Sequence, residues 1–591
     1  MEAVTVRRED LPLVFGVLGA VSRQMALMKA RLFFPLSMML LLCSCSGEHS
    51  CPLPILENHG SHATLVVDGK PMLIIGGELG NSSASSPEDL ARIFPHLERL
   101  GLNTVLVPLS WELIEPEEDR FDFSILDGIL FRAREHDLRV VLLWFGAWKN
   151  SMSCYAPEWF KKDTGRFPRA ILPDGSPVEE ACALSPTVLQ ADRKAFCRVM
   201  EYLRDNDRQH TVVMVQVENE MGMINVPRDY CPIADSLYHS PVPQELVSYL
   251  ESHRESLHPH IAGRMGESGE GLSWTQFFGD DIYAEEIFQT WTYARYTGEL
   301  ARAGKEILNL PMYVNVALDS RGRLPGQYPS GGPLAQLKDI WHCAAPSIDV
   351  LGVDIYDSGV SGWMERYHLA DNPLFIPEIR LEDKAAHYAL YAYGHHDAMG
   401  FCPFSIEDCP LLAGDSGNDW RNTDMSADDQ LNAYTRVTDR LSPIASAYSL
   451  MNSIEELVLA RQGSDDMDAV LLDDGHREAS ILTPDGIKVH VNHDYSLGWD
   501  PRSKEGHWPE ASCMLLRLGE YDYLLAGSGT VLTFSAEDSS KVGIAYCAEV
   551  DVKDGAITEI RRLNGDQTHQ GRHIRIPCGT FRLQRFRLYT Y

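Results

Sequence analysis

Short apolar runs recur along the chain, each closed by turn or polar residues and followed by an amphipathic stretch: MLIIGG (72–77), TVLVPLSW (104–111), RVVLLWFG (139–146), TVVMVQVENE (211–220), PMYVNV (311–316), SIDVLGVDIY (347–356), PLFIPE (373–378) and AMGFCPF (398–404). The stretches between them, such as PEDLARIFPHLERLG (87–101) and SILDGILFRAREHDL (124–138), repeat their apolar residues at three and four, the period of a half-buried helix. Strands that are apolar throughout rather than alternately must be covered on both faces. Eight of them alternating with helices predict an α/β chain folded as a (β/α)8 barrel. A doubly wound open sheet competes with this reading, but it would place a Gly-rich phosphate turn after the first strand, and IIGGELGNSS is a poor match to one. The long helical segment 426–460 can complete the barrel.

After Gln462 the period changes. Short β-type runs (AVLLDD, KVHVNHDY, CMLLRLG, DYLLAG, VLTFS, VGIAYCAEV, FRLQRFRLYTY) alternate with Gly, Asp, Asn and Pro turns, the texture of an antiparallel sandwich. This part carries no recognisable chemistry. Glycan binding, oligomerisation and bracing of the barrel are its open roles, and bracing is the simplest. At the other end, Lys29 and Arg31 precede an apolar stretch from Leu32 to Leu42, too short to span a bilayer and built like an export signal. It closes in LCSC, which resembles the lipobox of bacterial lipoproteins and places the lipidated residue at Cys45. Met28 is then the natural initiator. The expected organisation is an extension, lipoprotein signal and linker over 1–52, a barrel over 53–461 and a sandwich-like domain over 462–591.

A net charge of −32, from 52 basic against 84 acidic side chains, would repel a phosphate backbone, which excludes nucleic acid as a partner. Thirteen cysteines are scattered without paired spacing and read as buried thiols, although Cys402 and Cys409 could close a small loop. Neither a CxxC pair, an HExxH motif nor a calcium loop is present, and His395-His396 reads as a loop pair. No metal or cofactor is expected.

In a parallel barrel the C-terminal ends of the strands form the mouth, so an apolar run ending in carboxylates delivers them there. The fourth run ends in Glu218, Asn219 and Glu220; the seventh passes through Pro377, which cannot continue a central ladder, to Glu378. Either glutamate alone reads equally well as a solvated strand end. Two of them at the mouth are the minimum equipment of retaining glycoside hydrolysis. In a regular strand Glu218 and Glu220 share one face and Asn219 takes the other, so Asn219 and Glu220 can act together only if the strand twists or bulges at its end. Glu218 then reads as a hydrogen-bonded structural carboxylate. Tyr356 and Arg380 are candidates to touch Glu378, against a core tyrosine and an arginine bound to a loop carbonyl. Trp111, Trp144, Trp148 and Trp363 fall at or just after strand ends and could be sugar platforms, or simply anchors in the core. Glu78, Asn81 and Asn315 are further candidates for hydroxyl recognition.

VQVENEMG resembles the VQVENEYG motif of glycoside hydrolase family 35, the clan A β-galactosidases; SWELIEPEEDRFDF (110–123) is similar to a second family motif, and IPEIR fits the clan's nucleophile strand. The resemblance covers about the barrel, the (β/α)8 or TIM barrel of that clan, and the C-terminal part resembles a β domain attached to one bacterial branch. It implies Glu220 as acid/base, Glu378 as nucleophile and Asn219 as a contact to the hydroxyl beside the anomeric carbon. The third strand departs from the family: WFGAWKN stands where a sugar-binding glutamate is usual, and Lys149 or Asn150 would take its place. The expected function is an exo-acting, retaining β-galactosidase with a carbohydrate substrate and attachment to the membrane by lipid alone. A barrel glycosidase for another sugar (a β-glucosidase or an α-L-arabinosidase) is one alternative, and a non-catalytic surface glycan-binding lipoprotein is another.

Overall fold

The computed structural model describes residues 51–266, 270–319, 322–412, 441–498, 500–563 and 571–591. The eight apolar runs are the eight strands of a closed parallel barrel: β1 (Ile74–Glu78), β2 (Thr104–Ser110), β3 (Arg139–Lys149), β4 (Val212–Asn219), β5 (Met312–Val316), β6 (Val350–Ile355), β7 (Phe375–Ile379) and β8 (Gly400–Pro403), with β8 pairing back onto β1. Helices wrap the outside, chief among them α1 (Pro87–Leu100), α2 (Ser124–Glu135), α3 (Pro186–Asn206), α4 (Ile282–Ile307), α5 (Ala385–His395) and α6 (Pro443–Leu459). Their starts are fixed by side chains that accept otherwise orphaned amides, as Ser86 does from Asp89 N, Ser185 from Val188 N and Asp281 from Tyr283 N and Ala284 N. Of the helical segment expected over 426–460, α6 is seen; 426–440 lies outside the described residues, as do the export signal and Cys45.

Strand alternation sorts side chains into two cores. Ile74, Leu106, Val141, Leu143, Phe145, Met214, Tyr313, Val350, Phe375 and Cys402 fill the barrel, while the intervening residues pack outward on the helices. Leu65 and Val67 join the inner core from a three-stranded antiparallel sheet (Ile55–Asn58, Ala63–Val67, Lys70–Met72) that leads directly into β1 and closes the bottom of the barrel. The mouth is left as the open end.

The C-terminal part folds into a six-stranded and a four-stranded antiparallel sheet. Val470, Leu472, Val489, Val491, Cys513, Leu515 and Phe586 pack between them. The opposite face of the larger sheet, with Ala469, Met514, Leu516, Leu524 and Val550, merges into the outer core of the barrel. Gly394 on α5 lets that approach happen: a Cβ there would lie 2.7 Å from Ala469 Cβ and 2.8 Å from Met514 Cγ. A sheet buried on both faces against its own partner and the barrel has the form of a brace.

Candidate active site

The end of β4 bulges. Glu218 and Glu220 both adopt left-handed backbone angles, with φ of 61° and 44°, and the β3–β4 register shifts between Trp144 and Lys149 so that Lys149 stands opposite Asn219. The turn at Glu218 reverses the strand's alternation. Its carboxylate leaves the barrel toward α3, accepting the amides of Ala147 (3.3 Å) and Trp148 (2.8 Å) and sharing a hydrogen bond with Asp192. Asp192 is in turn met by Trp144 Nε1 (2.9 Å) and Tyr296 OH (2.7 Å). Burial, then the neighbouring Asp192, raises the Glu218 carboxyl well above its ordinary range, so Glu218 carries the proton and donates it to Asp192. Gly146 makes room for this knot: a Cβ there would sit 2.4 Å from Trp144 Nε1, 2.6 Å from Glu218 Oε1 and 2.7 Å from Asp192 Oδ1.

With the alternation reversed, Asn219 and Glu220 both reach the mouth. Lys149 Nζ donates to Asn219 Oδ1 (2.8 Å), which turns the Asn219 amide toward Glu378 Oε1 (3.4 Å). Asn315, at the end of β5, ties three strands together: its Oδ1 accepts the Glu220 amide (3.0 Å), and its Nδ2 meets Asp354 Oδ2 (2.7 Å) and Glu378 Oε1 (3.3 Å). Tyr356 OH donates to Glu378 Oε2 (2.7 Å), and Asn150 Nδ2 donates to Glu220 Oε2. Glu220, Asp354 and Glu378 each bring a carboxyl oxygen within 4.8 Å of the other two. The sequence reading missed Asp354. It lies beside Glu378 in the β6–β7 register, on the inward phase set by Val350 and Gly352.

Burial, then the charge of Glu378, pushes the Glu220 carboxyl up to about 7; Lys149 and a hydrogen bond from Asp354 work against the rise. For Asp354, burial followed by Glu378 and Glu220 raises the proton affinity well above the ordinary range. Two ionised carboxylates cannot hydrogen-bond each other, and as an anion Asp354 leaves its Oδ1 without a donor. Protonated Asp354, donating to Glu220, satisfies both observations. Glu78, at the end of β1, is fully buried with neither carboxyl oxygen partnered, and burial, then Glu378, raises it as well. The three clustered carboxyls have a spacing that could hold a cation. In the structure Glu378 accepts instead from the Asn219 and Asn315 amides and the Tyr356 phenol.

Several expected contacts fall elsewhere. Trp111, Trp144 and Trp148 are fully buried, each with its indole N–H committed, to Glu115, Asp192 and Glu180 respectively, so none offers a face to a sugar. They sit one residue out of phase with the inward positions and pack among the barrel helices. Trp363 is half-buried on the helix Val360–Tyr367, with the Arg366 guanidinium 4.6 Å from its ring centre. Arg380 donates to the Tyr356 carbonyl (2.8 Å) rather than to Glu378. Cys402 and Cys409 are separate buried thiols, the first inside the barrel against Gly76 and the second near Ser442. His395 pairs with Asp468 (2.7 Å), and His396 faces His368.

Residues 83–253 match the glycoside hydrolase family 42 model, described as β-galactosidase, and residues 444–575 match a domain of unknown function, DUF5597. The family 42 match falls in the same clan A as the family 35 motifs read from the sequence, and covers β2, β3 and β4 with the segment that ends in Glu220. Among solved structures, the β-galactosidase of the psychrophilic Marinomonas ef1 is similar over 66% of this chain and 60% of its own, at 13% identity and a TM-score of 0.42. The chain thus spans about 60% of that protein's length, a likeness too loose to bear on chemistry. No curated protein matches the chain.

Proposed function

We propose that this glycoside hydrolase, whose barrel carries a β-galactosidase family domain, removes terminal β-galactosyl residues with retention, using Glu378 as nucleophile and Glu220 as acid/base. The observation that carries this reading is the spacing of the two carboxyls, whose oxygens come within 4.8 Å. Retaining enzymes set their carboxyl groups about 5–5.5 Å apart so that one can attack the sugar directly, whereas inverting enzymes leave roughly 6.5–9.5 Å for a water. Glu378 is met by three donors, from Tyr356, Asn219 and Asn315, a setting that orients a carboxylate for attack at the anomeric carbon. Glu220, pushed up to about 7, holds a proton for the leaving oxygen.

The two steps then follow from one electrostatic change. As the Glu378–sugar bond forms and the leaving group takes the Glu220 proton, the charge on Glu378 that helped raise Glu220 disappears. With that charge gone the proton affinity of Glu220 falls, and Glu220 stands as a carboxylate free to take a proton from water as that water attacks the glycosyl-enzyme. Asn219, held by Lys149 and turned toward Glu378, is placed to meet the hydroxyl beside the anomeric carbon. The VQVENEMG motif keeps family 35 as an alternative home within the clan. The leader ending in Cys45 supports a lipid-anchored enzyme of the bacterial cell envelope acting on oligo- or polysaccharide fragments; among the described residues no helix is long and apolar enough to cross a membrane.

The test is azide rescue of two variants. Glu378→Ala should yield an α-galactosyl azide, because azide attacks the sugar in place of the missing nucleophile. Glu220→Ala should yield the β-azide, because azide attacks the glycosyl-enzyme. Exchange of the two products would reverse the assignment, and failure of either variant to lose turnover of unactivated substrates would remove that residue from the mechanism.

A further inference from the structure

Two of the loops at the barrel mouth are joined by more than the Asn150–Glu220 hydrogen bond. The loop after β3 begins at Asn150 and carries a small antiparallel hairpin, Arg169–Ile171 with Pro177–Ala181, that ends at Cys182. The loop after β4 begins at Glu220 and ends at Cys231, which leads into the helix Pro232–Tyr238. Both cysteines hang from the same hairpin. Cys182 N donates to Pro168 O (2.9 Å), while Tyr230 N donates to Ile171 O (2.9 Å). Asp229 Oδ1 accepts both Ile171 N (2.9 Å) and Cys231 N (2.8 Å). Backbone bonds on either side therefore set the position of the sulfurs, which lie buried 3.7 Å apart and unbonded.

We infer that Cys182 and Cys231 form a disulfide that ties the loop bearing Asn150 to the loop bearing Glu220. Closing a contact of 3.7 Å to the roughly 2.05 Å of a disulfide takes small side-chain rotations once the backbones are already held side by side. The leader read from the sequence directs the chain to a compartment in which such bonds persist. The two thiols share one S–H···S contact in which either sulfur can donate. The Cys231 sulfur also accepts the Ala234 amide (3.4 Å), which fixes its place at the start of the helix Pro232–Tyr238.

The oxidant is the disulfide of a thiol–disulfide oxidoreductase, acting on the folding chain before the loops bury the sulfurs. One of the two cysteines attacks one sulfur of the donor and forms a mixed disulfide; the other loses its proton and attacks the first cysteine's Sγ, and the donor leaves as a dithiol. One S–S bond forms in this protein and one breaks in the donor, two electrons pass to the donor, and the two thiol protons end on its sulfurs. A structural zinc is the rival reading, since Asp229 lies close enough to join the two sulfurs as a ligand. Three protein ligands fall short of the four that closed structural zinc sites use, and one Asp229 oxygen is already spent on two amides.

The full chain, produced with its leader in an export-competent bacterium, should be denatured in acid, alkylated without reductant and mapped by mass spectrometry. The expected result is a Cys182–Cys231 linked peptide, lighter by two hydrogens than its parts, that separates on reduction. Reductant should lower the melting temperature of the wild type by about 2–3 °C, and should leave Cys182→Ser and Cys231→Ser unchanged. Alkylation of both cysteines even after equilibration with glutathione disulfide would overturn the inference. So would zinc released on denaturation in equal amount to the protein with both thiols free. A wild-type melting temperature indifferent to reductant would overturn the tie between the loops. None of these readings depends on glycosidase activity, so this inference and the proposed reaction fail separately.

Discussion

Asp354 offers the sharpest check on the electrostatics of the site, because its protonation state and that of Glu220 are set by the same geometry. Replacing it by asparagine removes no charge if Asp354 is neutral. The new amide can still donate to Glu220 through Nδ2 and accept from Asn315 Nδ2, which now reaches Asp354 Oδ2 at 2.7 Å. If Asp354 were ionised instead, the substitution would delete a negative charge no more than 4.8 Å from Glu220. At an effective dielectric constant of about 20, that charge is worth about 3.5 kcal/mol, or about 2.5 pH units in the Glu220 titration. The assay is the pH profile of kcat/KM for wild type and Asp354→Asn on one aryl galactoside. In the proposed mechanism Glu220 acts as an acid, so activity should fall as pH rises through its titration near 7. A neutral Asp354 predicts that this basic limb stays within about half a pH unit of wild type, with kcat/KM reduced by less than about tenfold, the value of one reoriented hydrogen bond. A limb displaced downward by more than one unit would refute the reasoning, since it would mean that Asp354 carries charge at the pH of catalysis.

The specificity of the mouth can be read from kcat/KM on aryl β-galactoside, β-glucoside, β-fucoside and α-L-arabinopyranoside; the galactoside should be preferred over the glucoside by about 10²-fold or more, because a site that hydrogen-bonds one hydroxyl leaves its own groups unpaired with the epimer. Preference for the glucoside would retire the galactosidase reading and leave the two-glutamate mechanism standing. Cys45→Ser should abolish lipid labelling and move the protein out of the membrane fraction, while deletion of residues 1–27 should leave export intact; retention of the lipid in the serine variant would reject Cys45 as the anchor.

The barrel was legible because its strands are buried on both faces and therefore stand out as uninterrupted apolar runs: all eight appear as strands within a few residues of where the pattern places them. Glu220 and Glu378 were legible for the same reason, as carboxylates that end apolar runs. What the pattern hid was phase at the strand ends. Trp144 lies between Leu143 and Phe145, both of which point into the barrel, so alternation alone turns its ring outward; the apolar run stops soon after it, but the strand continues to Lys149 and leaves it mid-strand. Asp354 lies in VDIY and looks like an ordinary strand terminus, yet counting by two from Val350 and Gly352 places it inside. Parity, more than residue type, separates the groups that reach the mouth from those that brace the wall. Glu218 is the exception that parity cannot catch, because the backbone inversion at that residue leaves no mark in composition.

That inversion shows how the site is maintained. Left-handed backbone at non-glycine residues costs of order 1–3 kcal/mol each, and four such residues cluster where β3 and β4 end: Asn150, Ser151, Glu218 and Glu220. Three of them are over-determined by contacts their neighbours make. Glu218 is held by two amides and Asp192, the Glu220 amide by Asn315, and Asn150 by its side-chain bond to Glu220 and its own amide on Asn219 O (3.3 Å). The conformation would relax if those partners were removed, and the relaxed strand would put Glu218 back in the mouth and Asn219 against the helices. The carboxyl facing Glu378 would then be displaced by one residue. Placement of the carboxyl proposed as acid/base therefore rests on the contacts Glu218 makes with the Ala147 and Trp148 amides and with Asp192, on the far side of the strand from the mouth.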